Sequence, residues 1–239
     1  MSSIELVNNP FSNDGAKKEL KNMFNEVVFD YPKPITLIKE LIKISTNKNA
    51  TILDFFAGSG TTGQAVLDLN TEDGGNRRFI LGTDNENNIC TQVCFPRLQK
   101  VIEGYKKPNG EYVEGFNGNL KYYKTAFVDA ESTDMNKKML VDKSTEMLCL
   151  KEDCYNEIKN NDAFRMFNNP SGKYLGIIYE DEGIEVFKKE VKKIGEKFVV
   201  YVFSLDESAR EEEFEDIENL VSLKPIPAAI LNVYRRIFK

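Results

Sequence analysis

The chain contains no histidine and only four cysteines in 239 residues. Without an imidazole, serine–histidine triads and histidine-based acid–base chemistry are excluded within the chain itself. The cysteines fall as Cys90 and Cys94, four apart in a helical pattern, and Cys149 and Cys154 in a separate segment. That spacing does not assemble a four-thiolate site, so they read as reduced thiols and no metal ligands are expected. Apolar runs of membrane-spanning length are missing, and the first residues, Met-Ser-Ser-Ile-Glu, lack the charged and apolar regions of a secretory signal. A basic excess is missing as well. Thirty-two Lys and Arg against 38 Asp and Glu leave a net charge of −6, which argues against a large phosphate-binding surface within this chain alone. The expectation is a cytoplasmic protein with no membrane partner. What is present is an ordinary globular composition, 41% hydrophobic and 29% charged, long enough for one large domain or two small ones.

The most informative stretch runs from Thr51 to Ala65. A β-rich run, Thr51-Ile52-Leu53, ends in a carboxylate, Asp54, breaks at Gly58-Ser59-Gly60 and restarts as a helix at Thr61-Thr62. Glycine at 58 and 60 lets bare backbone take positive φ and approach a ligand, and the hydroxyl of Thr61 or Thr62 is suited to cap the helix. Gly58, Gly60 and Gly63 fit the GxGxxG spacing of a dinucleotide fold, with Asp84 about 20 residues on as a ribose partner. An NAD(P)-dependent dehydrogenase is therefore one alternative. Asp54 disfavours it, because a strand-end carboxylate repels a pyrophosphate at the helix N-terminus. A cationic nucleoside without phosphates suits that carboxylate better, and S-adenosylmethionine, with its ammonium, sulfonium and ribose hydroxyls, is such a molecule.

Around this bend the pattern alternates. Residues 1–13 are polar and turn-rich, and Asp14–Phe24 has a short helical pattern. Tyr31-Pro32-Lys33-Pro34 is a stiff strut, since the two prolines fix φ and push Tyr31 and Lys33 towards extended geometry, with Pro34 suited to a helix's first turn. A helix over 35–45 would bury Ile35, Ile38, Leu41, Ile42 and Ser45. Thr61–Leu69 reads as a helix, Arg78–Thr83 as a second strand ending at Asp84-Asn85, and residues 88–103 as a helix. This β-α-β-α order is the wiring of a parallel sheet. Residues 104–118 look like a linker or hairpin, 120–128 a strand and 134–158 a helix with charged faces. Beyond Ala163, strands are expected at 164–167, 174–179, 198–203 and 220–223, and helices at 184–194 and 228–238. The acidic run Glu211–Asp216 reads as a solvated face, and Arg235 and Arg236 as cations suited to a helix end.

The segment Asp54-Phe55-Phe56-Ala57-Gly58-Ser59-Gly60-Thr61-Thr62 resembles the cofactor motif of amino-methylating DNA methyltransferases. Tyr31-Pro32-Lys33-Pro34 resembles the Pro-Lys-Pro motif that flanks S-adenosylmethionine in the same enzymes. With Arg77-Arg78-Phe79-Ile80 and Asn85-Glu86-Asn87-Asn88, the chain is most similar to the modification (Mod) subunits of type III restriction-modification systems, which methylate adenine N6. The likeness runs from about Lys18 to Tyr105, and more loosely through Leu120–Thr125 and the chain's end.

The resemblance implies a Rossmann-like, S-adenosylmethionine-dependent methyltransferase half-domain over residues 1–128 and a second, smaller α/β domain over 129–239, the latter for subunit pairing or docking. It implies S-adenosyl-L-methionine as cofactor, with Asp54, Phe55, Phe56, Ala57, Gly58, Ser59 and Gly60 wrapping its methionine and ribose side and Thr61 and Thr62 opening the helix behind. Asp84 or Asn85 would receive the ribose or adenine. Tyr31, Pro32, Lys33 and Pro34 would close over the methionine end, with Lys33 on its carboxylate. Enzymes of this kind hold a flipped base with an Asp/Asn/Ser-Pro-Pro-aromatic loop. No such tetrapeptide occurs here; Asn9-Pro10-Phe11 and Asn169-Pro170-Ser171 each lack the second proline and read as turns. In the motif order seen here the catalytic loop and target-reading segment precede the strut, so they are expected upstream of Met1, and no catalytic residue is assigned in this chain. The implied partners are DNA through the complete enzyme, an N-terminal methyltransferase half, a restriction subunit and, as a further option, a second copy. A non-catalytic assembly module left by a truncated methyltransferase gene is the remaining alternative.

Overall fold

The computed structural model describes residues 11–116, 118–129, 131, 133–203 and 210–237. The turn-rich reading of residues 1–10, Phe238 and the side chains of Arg235 and Arg236 lie outside what is described. The chain divides into two compact units, one up to Tyr123 and one from Lys124 onward.

The first unit opens with helix α1 (Asn13–Phe24), where the Ser12 hydroxyl accepts from Gly15 N and Asn25 ends the helix at φ 65°. Helix α2 (Ile35–Ser45) follows the proline strut, with Pro34 just outside it as the N-cap. Its buried side differs from the expected stripe. Ile35 and Ile42 are in the core, but Leu41 is 45% exposed and Lys39 is buried in its place, its ammonium held by Asp68 (2.6 Å) and Glu72. Strand β1 (Thr51–Asp54), helix α3 (Thr61–Asp73) and strand β2 (Arg78–Leu81) come next, and the two strands pair in parallel from Thr51↔Arg78 to Asp54↔Leu81. Ile35, Ile42, Ala65, Val66 and Leu69 form the core between α2 and α3, flanked by Ile52 and Phe79 of the strands. Along that interface Lys39 meets Asp68 and, one turn on, Lys43 meets Glu72. The two helices therefore run in the same direction and begin at the same end.

The helix expected over 88–103 is broken. A 3-10 turn (Glu86–Asn88) with Asn87 and Asn88 at φ 52° and 59° leads into a π-helical stretch (Ile89–Cys94), and only then into helix α4 (Phe95–Glu103). Pro96 explains the widening, because its ring and missing N–H forbid an ordinary i→i−4 bond to the preceding turn. A hairpin with two-residue strands pairs β3 (Tyr105–Lys106) with β4 (Tyr112–Val113), as the turn-rich composition of 104–118 suggested. No strand forms over 120–128, and residues 121–127 are exposed.

The second unit is a five-stranded sheet in the order β5 (Asn156–Asn160), β6 (Phe164–Asn168), β7 (Tyr174–Ile178), β8 (Phe198–Val202), β9 (Val221–Leu223). The first two pairings are antiparallel and the last two parallel. Helix α5 (Asp134–Glu152) ends earlier than expected, at Asp153 with φ 60°, and residues 156–160 form the edge strand β5 instead. Pairing with β6 overrides the helical pattern there. Leu175 and Ile177 face one core with Leu148 of α5 and Ile230 of α7 (Ala228–Ile237), while Phe164, Ile178 and Val200 face the other with Phe187 and Val191 of α6 (Ile184–Ile194). The sheet is thus covered on both faces, a mixed α/β arrangement. Gly176 leaves room for the Phe187 ring, since a Cβ there would lie 2.3 Å from Phe187 Cζ. The run Glu211–Ile217 is a 3-10 helix that buries Phe214 and Ile217 and exposes its glutamates. Asn169 makes the turn between β6 and β7, its Oδ1 accepting from Ser171 N and Lys173 N.

Candidate functional site

The C-terminal end of the β1–β2 pair is where the two expected acidic positions emerge. Asp54 closes β1, and its carboxylate folds the chain that follows: Oδ1 accepts from Phe56 N at 3.0 Å and Oδ2 from the Thr62 hydroxyl at 2.6 Å. Each oxygen keeps a second lone pair, so the carboxylate shapes the bend and still has acceptor capacity. The bend is sewn to the end of β2 by Gly82 N donating to Asp54 O (2.7 Å) and Ala57 N donating to Gly82 O (3.1 Å). Gly60 N then donates to Ala57 O at 2.8 Å, closing a tight turn.

Two glycines make this turn. Gly58 has φ 52° and Gly60 φ 79°, values that cost a residue with a Cβ about 1–2 kcal/mol. At Gly60 a Cβ would also stand 3.0 Å from Cys94 Sγ and 3.3 Å from Cys94 O. Gly60 is the N-cap of α3 and makes no side-chain cap. Neither threonine caps the helix as expected. Thr62 reaches back to Asp54 and Thr61 turns inward to Arg97, because each finds a charged partner there.

Arg97, which sequence reasoning passed over, is only 2% exposed. Its Nη1 donates to Ser59 O (3.3 Å), Ser59 Oγ (3.0 Å) and Thr61 Oγ1 (2.9 Å), and its Nε to Gln64 Oε1 (2.7 Å). Gln64 Nε2 in turn donates to Glu19 Oε1 at 3.2 Å. Burial pulls the Arg97 guanidinium down to about 10, still cationic at neutral pH, and Glu19 opposes the drop. Burial likewise raises the Glu19 carboxyl, against the pull of Arg97 and the Gln64 bond. The signal was there: Arg97 sits three residues after Cys94 and four before Val101, on the buried stripe of its helix.

Asp84 and Asn85 follow β2 on the same end of the sheet and are exposed. Asp84 Oδ1 accepts from Glu86 N at 3.4 Å. Asn85 Oδ1 takes up Cys90 N and Thr91 N, both at 3.1 Å, and so starts the π-helical stretch. The strut enters α2 level with the start of α3, given the parallel register of those helices. Pro32 and Pro34 are buried, whereas Tyr31 (78% exposed), Lys33, Phe55 (69%) and Phe56 (91%) are open to solvent. A cleft of about 300 Å³ is lined by Glu19, Thr36, Lys39, Gln64, Asp68 and Tyr105 among others, and by none of residues 54–62.

A carboxylate closing a parallel strand, a two-glycine bend and a second acid at the end of the next strand lie within the part of the chain that matches known sequences. Residues 7–94 match the family described as DNA methylase. The Mod subunit of the type III restriction-modification enzyme StyLTI of Salmonella typhimurium is 44% identical over 97 residues, 39% of this chain and 15% of that protein. The EcoPI Mod subunit of Escherichia phage P1 is 51% identical over 70 residues, 29% and 11% of the two chains. The type II methyltransferase M.KpnI of Klebsiella pneumoniae is 34% identical over 118 residues, 49% and 28%. The chain thus spans well under a third of the length of each of these relatives. As the motifs implied, its first unit carries a methylase segment of the kind found in type III Mod subunits. No helix among the described residues is long and apolar enough to cross a membrane.

Proposed function

We propose that the first unit is the Rossmann-like, S-adenosylmethionine-binding part of an adenine-N6 DNA methyltransferase of the type III Mod kind. The observation that carries this reading is the bend itself, where Asp54 keeps acceptor capacity beside backbone that Gly58 and Gly60 leave bare. These residues fit the cofactor by chemistry: a carboxylate for a cationic nucleoside, and positive-φ backbone at Gly58, where a Cβ would meet nothing nearer than Phe56 O at 3.8 Å. Asp54 through Gly60 would hold the methionine and ribose side, with Thr61 and Thr62 fixing the bend from behind. Asp84 or Asn85 would take the ribose or adenine, and Tyr31 to Pro34 would close over the methionine end, with Lys33 on its carboxylate. When bound, the cofactor supplies the methyl group.

This chain binds the cofactor without transferring its methyl group, since the Pro-Pro-aromatic loop that holds a flipped base is not in the sequence. Transfer to DNA takes place in the complete enzyme, with a segment that carries this loop and, in a restriction complex, a restriction subunit. An isolated two-stranded parallel sheet is rare, because such sheets are normally covered on both faces. Leu53 (51% exposed) and Ile80 (39%), paired across β1 and β2, stay open, which supports packing of a further methylase segment there. The second unit serves subunit contact. Calorimetric titration with S-adenosylmethionine, with NAD as comparator, together with a methylation assay on duplex DNA, tests both parts. Saturable binding of the first ligand alone and no methylation are expected; NAD binding without S-adenosylmethionine binding overturns the cofactor reading, and methylation by this chain alone overturns the second part.

A further inference from the structure

We propose that Arg97 is a positioning residue that holds the glycine bend in its ligand-ready shape, as the hub of a buried relay from α4 through α3 to α1. This rests on the cofactor reading above for its consequence, but its physical basis is independent of it. Burying a guanidinium is costly unless its donors are met. Packing does not call for one here: the neighbouring buried residues Cys94, Leu98 and Val101 make an apolar stripe. Three of the four acceptors that satisfy Arg97 belong to Ser59 and Thr61, the residues on either side of Gly60. The fourth, Gln64, passes the contact on to Glu19, whose carboxylate answers the buried cation one side chain removed.

The consequence for the bend is specific. Ser59 and Thr61 are buried, at 3% and 5% exposure, with their hydroxyls turned to the arginine. Their side chains therefore set the turn's shape, and at these two positions only backbone is left for the ligand side. A glycine turn is otherwise the most mobile kind of backbone, and fixing it before binding removes an entropic penalty from the complex. Arginine suits the task because its planar fork addresses several acceptors in fixed directions, whereas a lysine offers one mobile point charge.

The test uses the full chain with R97M, R97K and the double variant S59A/T61V. Three quantities are measured: the unfolding midpoint, amide hydrogen exchange of residues 56–62 without ligand, and affinity for S-adenosylhomocysteine by calorimetry. R97M preserves length and apolar bulk but leaves the acceptors of Ser59, Thr61 and Gln64 without their donor, so a lowered unfolding midpoint is expected. Expected for R97M is exchange in the bend at least about tenfold faster and binding roughly 10- to 100-fold weaker, with R97K intermediate. S59A/T61V, which keeps the arginine but removes the two hydroxyl acceptors turned towards it, shifts both readouts in the same direction. R97M or R97K that melts, exchanges and binds like the wild type overturns the proposal. Should both arginine variants fail to fold, wild-type exchange and affinity in S59A/T61V overturn it. A wild-type chain that binds no S-adenosyl nucleoside sinks the cofactor reading, while the ligand-free exchange still decides whether Arg97 holds the bend.

Discussion

Replacing Gly60 by alanine separates the two constraints that the bend places on this residue. Its φ of 79° costs a Cβ-bearing residue about 1–2 kcal/mol. The added methyl also stands 3.0 Å from Cys94 Sγ and 3.3 Å from Cys94 O, closer than ordinary contact, and one of these atoms is backbone that cannot swing aside. Overpacking of this kind costs a further ~1–3 kcal/mol, so G60A should destabilise the first unit by roughly 2–5 kcal/mol. Gly74 supplies the control. It has φ 65° at the other end of the same helix, and a Cβ there would meet nothing within 4 Å. G74A should therefore lose only the backbone part, about 1–2 kcal/mol. Native-state hydrogen exchange at the α3 amides reads the opening free energy of this unit separately from the other. G60A should also abolish binding of S-adenosylhomocysteine, and G74A should not. Equal losses of stability in the two variants would show that the close approach of Cys94 to the bend is not real, and would refute the reasoning.

Three further outcomes follow from the same geometry. D54N keeps the shape of the side chain but removes its charge, so binding of S-adenosylmethionine should weaken about tenfold or more, as a charged hydrogen bond is worth ~1.5–3 kcal/mol; unchanged calorimetric affinity would contradict the role of the carboxylate. Iodoacetamide at pH 8 should label Cys90 first, since it is partly open, while burial raises Cys94 and Cys154 to about 11 and encloses Cys149; mass spectrometry showing Cys94 labelled as fast as Cys90 would contradict this. Glu19 has a carboxyl raised by burial, so the folded state holds its proton more tightly than the unfolded state, and this group's contribution is greatest at low pH and declines as pH rises through the upper carboxylate range. E19Q should remove that decline, and identical pH profiles of urea midpoints for E19Q and wild type would show that Glu19 is not buried as described.

What was legible in the sequence was what local chemistry determines. The strand-to-bend transition at Asp54–Gly60, the α6 helix at 184–194 and the strands at 164, 174 and 198 announce themselves through glycine, capping residues and short apolar runs. What stayed hidden depends on partners far along the chain. Asn156–Asn160 becomes a strand because β6 lies beside it, against its own helical pattern. Residues 121–127 have a strand-like composition but join none of the sheets among the described residues. Lys39 displaces Leu41 from the buried side of α2 because two carboxylates wait on α3. Arg97 was the most consequential omission: an arginine on an apolar stripe is a local signal, but its acceptors, Ser59 and Thr61, lie a strand and a helix earlier in the chain. Within the candidate site the reading misjudged what the two threonine hydroxyls do, which turn to Asp54 and Arg97 instead of capping the helix.

The central claim is that the bend after β1 seats a sulfonium nucleoside beside Asp54. The most direct measurement is a crystal structure of this chain soaked with S-adenosylhomocysteine. Ligand density against Asp54 and the backbone of 57–60, with the 31–34 strut over its amino-acid end and the adenosine towards Asp84 and Asn85, is the predicted result. Density in the cleft between Glu19, Lys39 and Tyr105 and none at the bend would contradict it.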